Sequence, residues 1–97
     1  MMRPSEALEK HREDARAIIA RYPLDNPQIF GSTARKTDTE SSDLDILVRL
    51  TGDLTFFDLA RLERELGTLI GVKVDVRTEG EFSAAMLDRI SRDFVSL

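Results

Sequence analysis

The chain has no cysteine, no tryptophan and one histidine. Without thiols, neither disulfides nor thiolate chemistry are open to it, and His11 alone cannot build a zinc site of the usual Cys/His kind. His11 falls on an apolar helical stripe, where a lone imidazole reads as a helix-face residue at the core margin. No run approaches the roughly 20 apolar residues needed to cross a bilayer, and Met1 to Pro4 does not open onto a signal-peptide apolar region. A basic excess is also missing. The 14 Lys and Arg face 18 Asp and Glu, a formal charge of −4, whereas affinity for nucleic acid rests on cationic contacts to phosphate. These absences predict a soluble, unprocessed, cytoplasmic chain with no membrane contact and no direct nucleic-acid binding.

What is present is enough for one core. At 97 residues and 41% apolar, the sequence predicts a single domain spanning 1–97, which buries roughly 60 to 70% of the surface its unfolded chain exposes. The segment SEALEKHREDARAIIARY places Leu8, His11, Ala15, Ile18, Ile19 and Tyr22 at helical spacing, with Ser5 as the expected N-cap and Pro23 as the stop. A turn at Asn26-Pro27 leads into a short strand, QIF, and the helical turn expected at Thr33 to Lys36 gives way to a polar loop. DLDILVRL and VKVDVRT both alternate at the period of a strand. Between them, TFFDLARLERELGTLI carries Leu59, Leu62, Leu66, Leu69 and Ile70 on one stripe, with Thr55 and Asp58 in a capping pattern and Gly71 as the stop. Gly67 interrupts that helix at a cost of about 1 kcal/mol against alanine. A last helix is predicted from Phe82, Met86, Ile90 and Phe94 at roughly helical spacing, before an apolar Val95 and Leu97. The order is α-β-(α)-β-α-β-α, an α+β (mixed α/β) fold around a small sheet flanked by helices.

The chemistry concentrates in GSTARKTDTESSDLDILV. Residues two apart on a strand share a face, roughly 6.6 Å apart at Cα, so Asp43 and Asp45 point together, opposite Leu44 and Ile46. Asp75 stands in the same relation to Val74 and Val76, and pairing the two strands would gather three carboxylates. Two such charges repel by about 2.5 kcal/mol at an effective dielectric near 20, which a fold avoids unless a cation neutralises them. Hard oxygen ligands suit Mg²⁺ or Mn²⁺, and two such ions can clamp both oxygens of a phosphoryl transfer. Gly31 lets the backbone approach a phosphate closely, a following helical turn aims N–H groups at it, and Ser32 adds a hydroxyl. Arg35 and Lys36 are placed to balance triphosphate charge.

Gly-Ser, ten residues, Asp-x-Asp and a third carboxylate on a later strand resemble the DNA polymerase beta-like nucleotidyltransferases. The short chain is similar to their minimal nucleotidyltransferase (MNT) antitoxin branch, whose members pair with HEPN toxin ribonucleases. The resemblance runs from about Gln28 to Val76. It implies that Gly31, Ser32, Arg35 and Lys36 contact the nucleotide and that Asp43, Asp45 and Asp75 are catalytic and hold Mg²⁺. Asp75 would also accept the proton of the attacking hydroxyl. It further implies an antitoxin of a type VII-like HEPN/MNT toxin–antitoxin system that moves AMP from ATP onto a tyrosine of its toxin. Two other readings fit the same residues: a non-catalytic antitoxin that masks the toxin, and a nucleotidyltransferase for a small molecule such as an aminoglycoside. Many relatives read GSRARG where this chain reads GSTARK, so Thr33 removes a positive charge and Lys36 replaces a conformationally permissive glycine.

Overall fold

The computed structural model describes residues 2–97; Met1, the first residue of the segment read for a signal region, lies outside them. Four strands form one sheet in the order β3-β2-β1-β4, from β1 (Leu24–Phe30), β2 (Leu44–Leu50), β3 (Val74–Thr78) and β4 (Val95–Ser96). β1 is antiparallel to both β2 and β4, whereas β2 and β3 run parallel, joined by the long helix α3 (Phe56–Ile70). Helix α1 (Pro4–Ile19) packs beside α3. The core lies between these helices and one face of the sheet: Leu8, Ala15 and Ile19 meet Leu62, Leu66 and Ile70 over Ile29, Leu44, Ile46, Val48, Val74 and Val76. Among the described residues no helix is long and apolar enough to cross a membrane.

Local chemistry explains most boundaries. Thr55 Oγ1 accepts the Asp58 N–H at 3.1 Å while Asp58 Oδ2 accepts the Thr55 N–H at 3.0 Å, the reciprocal pair that starts α3. Gly71 ends α3 with φ 83°, as the sequence suggests. Gly67 has a reason to be there, since a Cβ at its position would stand 3.2 Å from the Val72 carbonyl oxygen, where the chain doubles back towards β3.

Four expectations need correction. Ser5 does not cap α1; the helix begins at Pro4 with Arg3 in the cap position. Proline has no N–H to offer, so the first free donor is that of Ser5, and it is met from far away in sequence. The Ser5 N–H and Oγ donate to the two oxygens of Asp38 at 2.9 and 3.0 Å, and Asp38 is buried. Asn26-Pro27 is not a turn before a strand but an irregularity inside β1, with Asn26 at φ 51° and the register against β2 shifting between Asp25 and Gln28. α1 stops at Ile19, before Tyr22 and Pro23. The last helix, α4 (Ala84–Ser91), contributes no buried residue, and Met86 is exposed; the apolar spacing there reflects Phe82 and Phe94, which stack edgewise on Phe30. His11 sits at a kink within α1 and is half-buried, in keeping with the helix-face reading.

Asp38→Ala removes both acceptors for the start of α1 and is expected to lower the unfolding free energy by about 1 to 2 kcal/mol in urea titrations. Ser5→Ala, which keeps the backbone bond, is expected to cost less.

Candidate functional site

The face of the sheet opposite the helical core carries the polar residues, and register determines which of them meet. Phe30 pairs with Asp45, and Asp45 pairs with Asp75, so the two carboxylates stand side by side on adjacent parallel strands, roughly 4.8 Å apart at Cα. The next row on that face holds Gln28, Leu47 and Arg77. Asp43 lies one residue before β2, where the Leu44 N–H donates to the Lys73 carbonyl at 2.9 Å and closes the strand pair.

Asp45 is the electrostatic centre. Its carboxyl is pushed above the ordinary aspartate value of 3.8, first by burial and then by the charges of Asp75 and Asp43, while Arg77 and Lys73 pull the other way. Asp43 has a partner of its own: its Oδ2 is 3.5 Å from Lys73 Nζ, and Lys73 is largely exposed. An exposed pair of this kind contributes about 0 to 1 kcal/mol, so little holds Asp43 against a better cation. Among the described residues no group of three or more His, Cys, Asp or Glu side chains is gathered closely enough to hold a metal ion as placed. The donor chemistry nonetheless suits a hard divalent ion, with two paired carboxylates whose mutual repulsion is incompletely offset and a third held loosely beside them.

Gly31 abuts this centre. It ends the β1 segment with φ 75°, and a Cβ built on it would lie 2.7 Å from Asp45 Oδ2, so only glycine lets the backbone pass so close to the carboxylate. The short helix α2 (Gly31–Arg35) starts there, with Phe30 in the cap position and no side chain capping it. Ser32 is thus carried in the first turn beside the aspartates; its carbonyl accepts the Thr37 N–H at 3.0 Å. Thr33 is buried, and its Oγ1 donates to the Asp43 carbonyl at 3.4 Å, tying α2 to the entry of β2. Lys36 terminates α2 in the left-handed region at φ 58°, the strain expected for a residue in a glycine-like place.

The two cations of the motif do not converge on the carboxylates in this arrangement. Arg35 pairs with Asp93 of the C-terminal segment at 3.6 Å, and Lys36 lines a cleft with Arg3, Ser5 and Glu6 against α1. The cations that do act on Asp45 are Lys73 and Arg77, which flank Asp75 by two residues on either side. Alternation along VKVDVRT already puts them on its face, although nothing in their spacing alone assigns them a role. The carboxylate group opens on two sides. Asp43 lines a pocket of about 410 Å³ with Ser41, Ser42, Gly71 and Lys73. Asp75 lines a groove of about 540 Å³ along the outer edge of β3 and the beginning of α3.

Comparison with known proteins follows the same lines. The nucleotidyltransferase domain family model matches residues 8–96. A Methanocaldococcus jannaschii chain named for protein adenylyltransferase activity is 36% identical over 80 residues, 82% of this chain and 86% of its own. A solved structure described as a minimal nucleotidyltransferase superposes with a TM-score of 0.85 at 34% identity, covering 96% of this chain and 95% of that one. The same fold, at 18% identity and a TM-score of 0.64, occurs in the solved complex of tri-AMPylated Shewanella oneidensis HEPN toxin with MNT antitoxin, over 96% of this chain and 70% of that one.

Two outcomes follow from the geometry. Because the Asp45 carboxyl is raised in the folded protein, its charged form opposes folding above about pH 3.8, and the opposition vanishes once it is protonated in both states. Asp45→Asn is therefore expected to melt at a higher temperature than the parent at pH 7, with the difference closing as pH falls below 4. Gly31→Ala is expected to lose about 1 to 2 kcal/mol of stability from its positive φ, and further stability from the clash with Asp45.

Proposed function

The chain belongs to the nucleotidyltransferase domain family, and on that premise we propose that it is a protein adenylyltransferase serving as the antitoxin of a HEPN-type toxin, moving AMP from ATP to a toxin tyrosine. The observation that carries the reading is the pairing of Asp45 with Asp75, with Asp43 beside them and the uncapped start of α2 adjoining. Support for a protein acceptor comes from the M. jannaschii relative's name and from the toxin complex that shares the fold.

In this reading the ATP phosphates lie at Gly31 and Ser32, where the first-turn N–H groups of α2 would meet negative charge. Asp43, Asp45 and Asp75 would hold Mg²⁺, two ions or Mn²⁺ in its place, which supplies neutralisation of the triphosphate and of the carboxylates' own repulsion. Asp43 would give up its weak pairing with Lys73 for that role. Asp75 borders the open groove and so faces an acceptor arriving from outside. It takes the proton of the tyrosine hydroxyl as that oxygen bonds to the α-phosphorus. The bond from the α-phosphorus to the bridging oxygen breaks, and pyrophosphate leaves. A phenol of pKa near 10 needs such a base at neutral pH.

The test is to incubate the protein with ATP, Mg²⁺ and the product of the adjacent reading frame, then weigh the latter. The expected result is a mass gain of one or more AMP groups, absent with Asp43→Ala and slowed by about 10² to 10⁴ with Asp75→Asn. Inhibition of the toxin without any mass gain would select masking, and transfer to a small alcohol alone would select the aminoglycoside type of chemistry; either result displaces this proposal.

A further inference from the structure

The least expected surface in the molecule is the beginning of α3. Phe56 and Phe57 are 84% and 83% exposed, and Leu50 close by is 44% exposed. Single exposed apolar residues are ordinary, but contiguous ones mark contact surfaces, and a buried aromatic ring is a strong anchor at an interface. Phe56 and Leu50 line the groove of about 540 Å³ whose other wall includes Asp75. Phe56 at the start of α3 and the β3 residue Asp75 thus line one depression.

We propose that this groove is the docking site for the acceptor polypeptide: Phe56 in the groove and its exposed chain neighbour Phe57, outside the groove lining, anchor a basic segment of it, and its hydroxyl is brought to the strand that carries Asp75. The inference rests on the adenylyltransferase reading and adds to it where the protein substrate binds and what chemistry recognises it.

Two features narrow the occupant. β3 is the edge strand, yet the N–H groups of Val76 and Thr78 are already taken, by Glu63 Oε2 at 2.8 Å and Glu81 Oε2 at 2.7 Å. The edge is therefore closed there to strand addition, and recognition falls to side chains. The groove is also acidic: Asp75, Glu63 and Glu81 border it with Arg77 as the opposing charge, and Arg77 is 3.4 Å from Glu81. A second copy of this chain, with a formal charge of −4, would bring like charge to a like surface, whereas a basic segment complements it.

The experiment uses the full chain and the purified product of the adjacent reading frame. Binding is measured first by titration with Asp43→Ala, so that no AMP transfer intervenes. Adding Phe56→Ser or Phe57→Ser is expected to weaken binding at least tenfold, with a thermal midpoint matching the parent, and binding is expected to weaken as NaCl is raised. In the active protein the same changes are expected to raise KM for the acceptor about tenfold while kcat and ATP binding are retained. Unchanged binding and KM in both variants would overturn the proposal. So would a dimer that the serine variants dissociate without affecting acceptor binding, and so would no binding by the parent chain. If the acceptor binds through Phe56 and Phe57 but gains no AMP, docking stands and the transfer reading fails alone. If AMP transfer proceeds indifferently to the two rings, transfer stands and the docking site fails.

Discussion

The fold is arranged around a repulsion. The parallel register of β2 and β3 sets Asp45 beside Asp75, and Asp43 adds a third charge at the strand entry. Nothing about a small sheet requires this. It is tolerated because the residues on the reverse face of the same strands, Leu44, Ile46, Val74 and Val76, are almost wholly removed from solvent against α1 and α3. Each such aliphatic contributes about 1.5 to 3 kcal/mol on burial, enough together to outweigh the opposing carboxylates. The same strands that make the core hold the charges in place, and Lys73 and Arg77 compensate them only in part, so this face keeps an excess of negative charge.

How much of this was legible beforehand depends on the range of the interaction. α3 was readable to its caps, because Thr55, Asp58 and Gly71 act on their own helix. The meeting of Asp45 and Asp75 was readable as a possibility, since alternation fixes which face a strand residue occupies; only the pairing of strands fixes who stands opposite. The capping of α1 was misread because its acceptor, Asp38, is 33 residues away from Ser5. Asn26-Pro27 carries a turn signature, but pairing with β2 on both sides draws it into a strand as a bulge. The spacing in α4 was real but pointed at Phe30 through its flanking residues rather than at a core under the helix. The exposure of Phe56 and Phe57 was not read, because they fall outside the stripe of Leu59, Leu62, Leu66, Leu69 and Ile70, and periodicity assigns no surroundings to apolar residues off the stripe.

The departures within the Gly-Ser motif also make sense in three dimensions. Thr33, buried rather than charged, bonds to the Asp43 carbonyl and so links α2 to the entry of the strand that carries the carboxylates. Lys36 accepts a left-handed backbone to end α2 and directs the chain into the loop that Asp38 fastens to α1. Arg35 and Asp93 link that turn to the C-terminal segment, so three separate stretches of chain meet around α2.

Gly67 looks at first like a flaw in α3, yet it is the place where helix and returning chain come nearest, with the Val72 carbonyl oxygen 3.2 Å from where a methyl group would sit. A side chain there would push the Val72 carbonyl back by a few tenths of an ångström. Even a methyl group there would press on the short return that feeds β3, the strand in which a slip of one residue would bury the acid and expose the valines.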